Sequence, residues 1–178
     1  MQPIVYDVAV SLDGFICGND EDVSRFPHEG PIVDAYRKRL ESYAVCLMGR
    51  RTYEFGYRFG LPAGANPYPG MLSYVLSSSL ELPDDADVQL VRSDTEALLR
   101  RLKGQADGPI YLCGGGTLAA SLLELKLIDR LRLKRAPIVL GQGVRLFGAN
   151  NRAIDLRQLD MVAYPDGTVF HEFEILIG

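Results

Sequence analysis

Three short polar stretches follow apolar runs and carry residue types that bind anions. The most distinctive is "YLCGGGTL" (111–118), where Gly114, Gly115 and Gly116 separate a predicted strand from a predicted helix. Because glycine has no side chain, its backbone N–H can approach a phosphate closely, and a helix N-terminus adds partial positive charge. A tight turn with positive φ needs only one glycine, so three in a row favour an anion site over a simple turn.

The spacing Gly114-x-Gly116-x-x-Ala119 also matches a dinucleotide-binding fingerprint. That fingerprint normally lies in the first βαβ unit, with an acidic residue about 20 positions further on. Here it lies two-thirds along the chain, and the next predicted strand ends in Lys134 and Arg135. The ordinary Rossmann interpretation is therefore rejected.

Two other predicted strand ends, "LMGRRTYE" and "VLSSSL", complete a set of three. Guanidinium groups can pair with a phosphate, and hydroxyl and N–H groups can bind it. Each stretch alone is more typical of a surface pair, a helix cap or a polar turn. Together with the glycines, they are what a dinucleotide phosphorylated on its adenosine ribose requires. The candidate residues are Gly49, Arg50, Arg51, Thr52, Ser77, Ser78 and Ser79.

The elements that must position these stretches alternate between strand and helix. Pro31 suits a first helical position, and Val33, Tyr36, Leu40 and Tyr43 form one stripe. A capping box at 93–96 predicts a helix that stops at Gly104. Strands are predicted at 3–10, 44–48, 71–76, 88–91, 108–113 and 130–134 (extended by 136–140), with a terminal hairpin within 158–177, and helices at 31–43, 50–55, 93–104 and 117–127.

This order predicts one α/β domain over residues 1–178. We expect a three-layer α/β/α arrangement of about eight mostly parallel strands, a C-terminal antiparallel hairpin and four helices. In such open sheets, ligands bind outside the carboxyl ends of the strands, where the three polar stretches lie.

Composition limits the possible partners. The chain has 178 residues, 47% of them hydrophobic, and a net charge of −4, which argues against nucleic-acid binding. The three cysteines, Cys17, Cys46 and Cys113, lack metal-ligand spacing and suggest reduced thiols in a cytoplasmic protein. The N-terminus has no signal-peptide pattern, and the apolar runs are too short to span a bilayer, so no membrane association is expected.

Five motifs in order resemble the dihydrofolate reductase-like superfamily. They are "SLDGFI", "LMGRRTYE", "VLSSS", "YLCGGGTLAASLLELKLIDRLRL" and "PIVLGQGVRLF". The closest resemblance is to the C-terminal reductase domain of the bifunctional riboflavin-biosynthesis deaminase/reductase, RibD, over about residues 4–177. It implies NADPH as the hydride donor, a homodimer, and a pterin, a pyrimidine such as 5-amino-6-(5-phosphoribosylamino)uracil, or a related small heterocycle as substrate.

The resemblance also implies roles for individual residues. Residues 50–52 match the stretch near the adenosine phosphate and the pyrophosphate. Residues 77–78 match the strand end that, together with that stretch, holds the 2′-phosphate. The glycine turn, bordered by Cys113, matches the pyrophosphate site, and Arg92 is a weaker candidate near the adenine. The remaining matches are Thr117 and Leu118 in that turn, Val8, Ala9 and Val10 beside the nicotinamide, and Asp13, Gly14, Phe15 and Ile16 in a mobile loop that covers it.

The proton source is the least defined part of this hypothesis. Asp34 matches by spacing the carboxylate that dihydrofolate reductases carry on the first helix, but it lies off the apolar stripe and also suits a solvated pair with Lys38. Asp13 is the other candidate, and as part of an Asp-Gly pair it equally suits a turn. Lys134 and Arg135 suit either a substrate phosphate or a solvent or interface face.

Two other functions fit the same residues. One is a non-catalytic NADPH- or nucleotide-binding sensor or interaction module, which the uncertain position of Asp34 leaves open. The other is an enzyme that uses these strand ends for a different phosphorylated ligand. The chain lacks the H-x-E and P-C-x-x-C pattern of a zinc deaminase, so a stand-alone reductase-like domain is expected.

Overall fold

Apolar, β-branched runs alternate with amphipathic segments along the chain, and this alternation produces a sheet covered by helices. The structure is a computed structural model that describes residues 1–150 and 152–176. Short 3₁₀ turns occur at Asn19–Glu21 and Gly56–Phe59. The strands are β1 (Ile4–Val10), β2 (Phe15–Cys17), β3 (Val45–Gly49), β4 (Leu72–Leu76), β5 (Gln89–Val91), β6 (Ile110–Gly114), β7 (Arg130–Arg135), β8 (Val144–Arg145), β9 (Asp155–Ala163) and β10 (Val169–Leu176), and the helices are α1 (Pro31–Leu40), α2 (Arg50–Phe55), α3 (Thr95–Gln105) and α4 (Gly116–Glu124).

Eight strands form one sheet in the order β5-β4-β3-β6-β1-β7-β10-β9. All neighbours from β5 to β7 are parallel, whereas β10 pairs antiparallel with both β7 and β9. The carboxyl ends of β1, β3, β4, β6 and β7 therefore meet at one edge of the sheet. The predicted parallel sheet with its terminal hairpin is confirmed, and the hairpin is described as far as residue 176.

Strand alternation sends side chains to two cores. On one face, Ile4, Tyr6 and Leu112 are buried with Leu99 of α3 and Leu122 of α4. The opposite core contains Val5, Cys46, Met48 and Tyr111 together with Tyr53 of α2. Because successive strand residues point to opposite faces, this division follows from the sequence period and gives three layers.

Several sequence-based boundaries are wrong. Helix α4 ends at Glu124 rather than at residue 127. Helix α1 ends at Leu40 rather than at residue 43, although Tyr43 is buried as its pattern predicts. No side-chain hydrogen bond caps α3, because Asp94 adopts left-handed geometry (φ 54°), and the helix runs through Gly104 to Gln105. Residues 136–140 do not extend β7. Pro137 cannot donate a ladder hydrogen bond, and Leu12 N instead donates to Ile138 O.

A small antiparallel pair, β2 with β8, was not predicted. It lies beyond the first strand, in the stretch that the resemblance assigned to a mobile loop, and its strands are only three and two residues long. Such short strands carry too little periodicity to be recognised from sequence. Across residues 1–150 and 152–176, no helix is long and apolar enough to cross a membrane.

Candidate active site

Two adjoining compartments open at the carboxyl edge of the sheet. The first has a volume of about 550 Å³ and the second about 520 Å³. The two compartments share part of their walls and are therefore next to each other. The shared lining residues are Val8, Ile16, Val23, Thr52, Phe55 and Cys113.

The glycine turn forms one wall of the first compartment. Strand β6 ends at Gly114 (φ +131°), a cis peptide bond joins Gly114 to Gly115, and α4 begins at Gly116. Among the described residues no side chain caps this helix, so the first-turn N–H groups have no acceptor within the helix. Gly115, Gly116, Thr117 and Leu118 all line the compartment. This wall can therefore bind an anion through the backbone.

The end of β3 forms the facing wall. Gly49, Arg50, Arg51 and Thr52, which the sequence predicts to bind the cofactor, line the first compartment. Arg50 donates from Nε to Glu54 at 2.9 Å and from Nη1 to Ser79 Oγ at 3.0 Å.

Arg51 donates from Nε to Glu21 at 2.8 Å, and its side chain is 75% exposed. Ion pairs this exposed contribute little to stability, so an anionic ligand can replace these carboxylates as the partner of either arginine.

The serines after β4 stand at the margin of this site. Ser77 Oγ accepts hydrogen bonds from the backbone N–H groups of Ser79 and Leu80, and so shapes the turn. Arg92 donates to the Ser78 carbonyl and to Glu81. Only Ser79 contacts an arginine of the first compartment, through its hydroxyl on Arg50. The serines and Arg92 are outside the set of described residues that line the compartment.

The first strand and the following turn lie between the two compartments. Val8 and Ile16 line both, and Ala9 lines the second. Val10 and Phe15 are buried and lie outside both sets of described lining residues. Gly14, with φ +87°, allows the turn that leads into β2.

Neither carboxylate proposed as a proton source reaches a compartment. Asp34 is 70% exposed and pairs with Arg37 at 3.1 Å rather than with Lys38. Asp13 accepts hydrogen bonds from Ser11 Oγ, Leu140 N and Gly141 N, at 2.6, 3.1 and 2.7 Å. The Ser11 hydroxyl, with help from these N–H groups, lowers the pKa of Asp13 to about 2. Among the described residues that line the compartments, Asp13 and Asp34 are absent.

Aromatic rings dominate the second compartment. Tyr36 and Tyr111 share a hydrogen bond of 2.7 Å between their hydroxyls, and the Tyr68 ring meets Tyr111 edge-on at 5.5 Å. Burial raises the pKa of all three tyrosines, so they stay neutral near pH 7. Phe26 and Phe55 add further apolar surface. A planar, largely apolar ring suits such walls.

A buried ion pair between Lys134 and Asp7 lies in the same compartment, and Asp7 was not among the candidates predicted from the sequence. Lys134 Nζ donates to Asp7 Oδ1 at 2.8 Å, and the Asp7 side chain is fully buried. Burial opposes the ionisation of Asp7, but the charges of Lys134 and Arg39 outweigh it and lower the pKa of Asp7. The available signal was Asp7 itself, because a charge within the apolar run "PIVYDVAV" requires a partner on a neighbouring strand.

Cys113 lies where the two compartments meet. Its Sγ atom is 3.3 Å from the Tyr68 hydroxyl. A hydrogen bond with the Cys46 thiol, opposed by burial, lowers the pKa of Cys113 to about 7. The sequence placed this residue correctly at the border of the glycine turn.

Several bacterial proteins resemble the chain in sequence or in structure. Two proteins of Bacillus subtilis (strain 168), both described as uncharacterized, resemble the chain: YwjB is 28% identical over 79% of each chain, and YyaP is 26% identical over 93% of this chain and 91% of its own. A candidate riboflavin biosynthesis protein from Shewanella sp. PV-4 superposes with a TM-score of 0.81 at 25% identity, covering 99% of this chain and 100% of that one.

A bifunctional protein of Thermotoga maritima shows the same fold. It is a diaminohydroxyphosphoribosylaminopyrimidine deaminase/5-amino-6-(5-phosphoribosylamino)uracil reductase, with a TM-score of 0.75 at 14% identity. The match covers 98% of this chain and 57% of that protein. The model of the RibD C-terminal domain family matches residues 2–170. Because this match spans almost the whole chain, the protein belongs to the RibD C-terminal domain family.

Proposed function

We propose that the protein is an NADPH-dependent reductase of a small planar heterocycle, such as a pterin or a pyrimidine. The observation that carries this proposal is the pairing of two compartments. One has anion-binding walls from the glycine turn and two arginines, the other has aromatic walls, and they meet at Val8, Ile16 and Cys113. A hydride can pass between two ligands only if their reacting atoms are in close contact, as this arrangement permits.

The residues present fit NADPH. The uncapped N–H groups of Gly116, Thr117 and Leu118 would hold the pyrophosphate, and Arg50 or Arg51 the phosphate on the adenosine ribose. Val8 and Ile16 would lie beside the nicotinamide. When bound, NADPH supplies the hydride, and membership of a reductase family supports this use of the site.

The second compartment favours a flat, uncharged ring. Tyr36, Tyr68 and Tyr111 provide ring surfaces and hydroxyl groups for a heterocycle. The phosphoribosylated uracil named for the Thermotoga maritima protein would need a cation for its phosphate. His28 and Arg37 line the compartment as candidates for that role, although Arg37 already donates to Asp34 and to the His28 carbonyl.

The test is NADPH consumption with a panel of acceptors: dihydropterin, quinonoid dihydropterin, 5-amino-6-ribosylaminouracil and its 5′-phosphate. We expect oxidation of NADPH with at least one of them, and weaker use of NADH. If NADPH neither binds nor is oxidised with any acceptor, the proposal is wrong. A phosphorylated uracil that reacts far faster than the unphosphorylated one would identify a phosphate site.

A non-catalytic nucleotide-binding module is the second candidate. One observation favours it: Asp34, the carboxylate that the resemblance assigned to proton transfer, is exposed and paired with Arg37 outside the site. Tight NADPH binding without turnover of any acceptor would support this candidate over the reductase.

We also propose that the protein forms a homodimer. Strand β9 is a sheet edge on which every residue is exposed, and an unpaired edge is a template for association. It carries Leu156, Leu159, Met161 and Val162, with exposed fractions between 39% and 52%. A second copy of the chain would cover this apolar surface.

A further inference from the structure

We propose that Lys134 is the proton donor of the reduction and that Asp7 is the residue that positions it. This inference rests on the proposed reductase function and names the acid that function requires. The roles proposed for the two compartments stay the same. It assigns a role to the one buried ion pair that lines the second compartment within the described residues.

The sheet places Lys134 at the site. In the parallel pairing of β1 with β7, Ala9 is opposite Lys134 and Asp7 is opposite Arg132. Strand alternation therefore puts Asp7, Ala9 and Lys134 on one face of the sheet, and all three line the second compartment. The Lys134 side chain is only 12% exposed, so its ammonium group faces the compartment rather than bulk water.

The ammonium group has a hydrogen-bond donor to spare. A protonated lysine has three N–H donors. One is used by Asp7 Oδ1, and the Tyr36 ring lies beside the group, with Nζ 3.6 Å from the ring centroid. The described residues provide no other acceptor for Lys134. A ligand nitrogen or oxygen in the compartment can therefore accept the remaining N–H.

The surrounding groups keep Asp7 negative and leave a surplus of positive charge. Asp7 Oδ2 accepts from Arg39 Nε and from the Tyr43 hydroxyl, each at 3.1 Å. Two cations, Lys134 and Arg39, thus share one buried carboxylate. Such a surplus stabilises negative charge that develops on a substrate during reduction.

The remaining neighbours favour release of the lysine proton. Burial lowers the pKa of Lys134, and the Asp7 carboxylate offsets only part of this effect. Arg39 lowers the pKa further, while Cys113 raises it. Tyr36, on the facing helix α1, stays neutral because burial raises its pKa. A lysine with a lowered pKa is a stronger acid than an ordinary one, as general acid catalysis near neutral pH requires.

The reduction needs only the substrate double bond, a hydride from NADPH and a proton from Lys134. Reduction of a C=N or C=O bond takes a hydride at carbon from NADPH, which leaves as NADP⁺. The electron pair of the double bond moves to nitrogen or oxygen, which takes a proton from the Lys134 ammonium. Lysine is left as a neutral amine hydrogen-bonded to Asp7, and it regains its proton from water when the product leaves.

The test compares Lys134→Met with Lys103→Met. Lys103 is a matched control, because it too is 12% exposed and pairs with a carboxylate, Asp129, at 2.7 Å, but it is not among the compartment residues. We expect Lys134→Met to reduce kcat by about 100-fold or more while NADPH binding is retained. Lys103→Met should keep the wild-type kcat. Equal turnover in Lys134→Met and the wild type would overturn the proposal.

The pH profile separates a proton donor from a structural lysine. Because the protonated amine is the active form, kcat should fall as pH rises through the pKa of Lys134. Asp7→Asn removes the carboxylate that raises this pKa. The fall of kcat with rising pH should therefore begin at lower pH in Asp7→Asn than in the wild type. If kcat falls at the same pH in Asp7→Asn and in the wild type, the proposal is contradicted.

A third readout does not depend on turnover. The protein has four lysines, so their side-chain NMR signals can be resolved, with Lys134 assigned by comparison with Lys134→Met. We expect Lys134 to titrate at lower pH than an ordinary lysine side chain, and pterin to shift its signal. A Lys134 signal that titrates in the range of an ordinary lysine overturns the proposal. Failure of the wild type to bind or consume NADPH instead refutes the proposed function.

Discussion

A Cβ atom on Gly115 would lie 3.3 Å from the Oγ1 atom of Thr52. The glycine turn after β6 therefore lies directly against the start of α2. These two stretches are 63 residues apart in the chain, measured from Thr52 to Gly115, and both line the first compartment. The anion-binding function assigned to the first compartment depends on this closeness.

The compartment predicts a specific effect for Gly115→Ala. The new methyl group would project between two lining residues, close to the Thr52 hydroxyl, and crowd the pyrophosphate position. We expect NADPH affinity to fall roughly tenfold, which corresponds to about 1.4 kcal/mol, in a calorimetric titration.

Gly104→Ala is the control for that change. A Cβ atom there meets nothing within 4 Å, and the residue lies inside α3. We expect unchanged NADPH affinity and a gain of about 0.5–1 kcal/mol in the free energy of unfolding. Equal NADPH affinity in Gly115→Ala and Gly104→Ala would argue against a backbone cradle at the glycine turn.

Arg50→Gln tests the preference for a phosphorylated ribose. Arg50 links the ends of β3 and β4 through its hydrogen bond to Ser79. Because NADPH carries the ribose phosphate that NADH lacks, loss of the Arg50 guanidinium should weaken the binding of NADPH more than that of NADH, by about tenfold or more. Arg100→Gln is a matched control, because Arg100 also pairs with a glutamate four residues away but lies on α3. Competition binding of NADPH and NADH to each variant gives the ratio of the two affinities. A ratio that is unchanged by Arg50→Gln would exclude Arg50 as the residue that holds the ribose phosphate, and a ratio unchanged by Arg51→Gln as well would contradict a phosphate site in this compartment.

The sequence predicted most of the site but not all of it. Apolar runs that end in Gly49 and Gly114 placed both anion-binding walls, because strand ends in a parallel sheet share an edge. The environment of Lys134 could not be predicted from the sequence. The alternating charges of "RLRLKR" are equally typical of a strand that faces solvent and of a strand whose charged face is covered by a helix such as α1. Only the pairing of β1 with β7 brings it to Asp7.

The boundaries that failed depend on tertiary contacts. The turn at Asp13 and the segment up to Gly141 bind each other across 128 positions, and this long-range bond draws residues 136–140 away from the sheet. Asp34 matched the family carboxylate by spacing, but it lies off the apolar stripe of α1, and the structure turns it to solvent as that position indicates.

Asp13 predicts a pH-dependent stability. Its pKa is lowered from 3.8 to about 2 in the folded protein, chiefly by the Ser11 hydroxyl, so the charged form stabilises the fold above pH 4 and this contribution is lost as pH falls through about 2. Urea unfolding should show Asp13→Asn less stable than wild type at pH 6, with a smaller difference at low pH. Asp107→Asn, at an exposed position, controls for the loss of one negative charge. A pH-independent difference for Asp13→Asn would show that the charge has no role.

The homodimer prediction is tested at strand β9. Met161 is 52% exposed, and Met161→Glu adds charge to the apolar edge. We expect the molar mass from light scattering to fall towards that of one 19.7 kDa chain. Phe59→Glu is the control, since Phe59 is 74% exposed on a short turn outside β9. A wild-type protein that is already monomeric at high concentration would contradict the prediction.

The most direct test of the two-compartment account is a crystal structure of the protein with NADPH. We predict the pyrophosphate on the N–H groups of 116–118, the ribose phosphate at Arg50 or Arg51, and the nicotinamide beside Val8 and Cys113, open towards Lys134. NADPH bound elsewhere, or a nicotinamide turned away from the compartment that holds Lys134 and Asp7, would contradict the account.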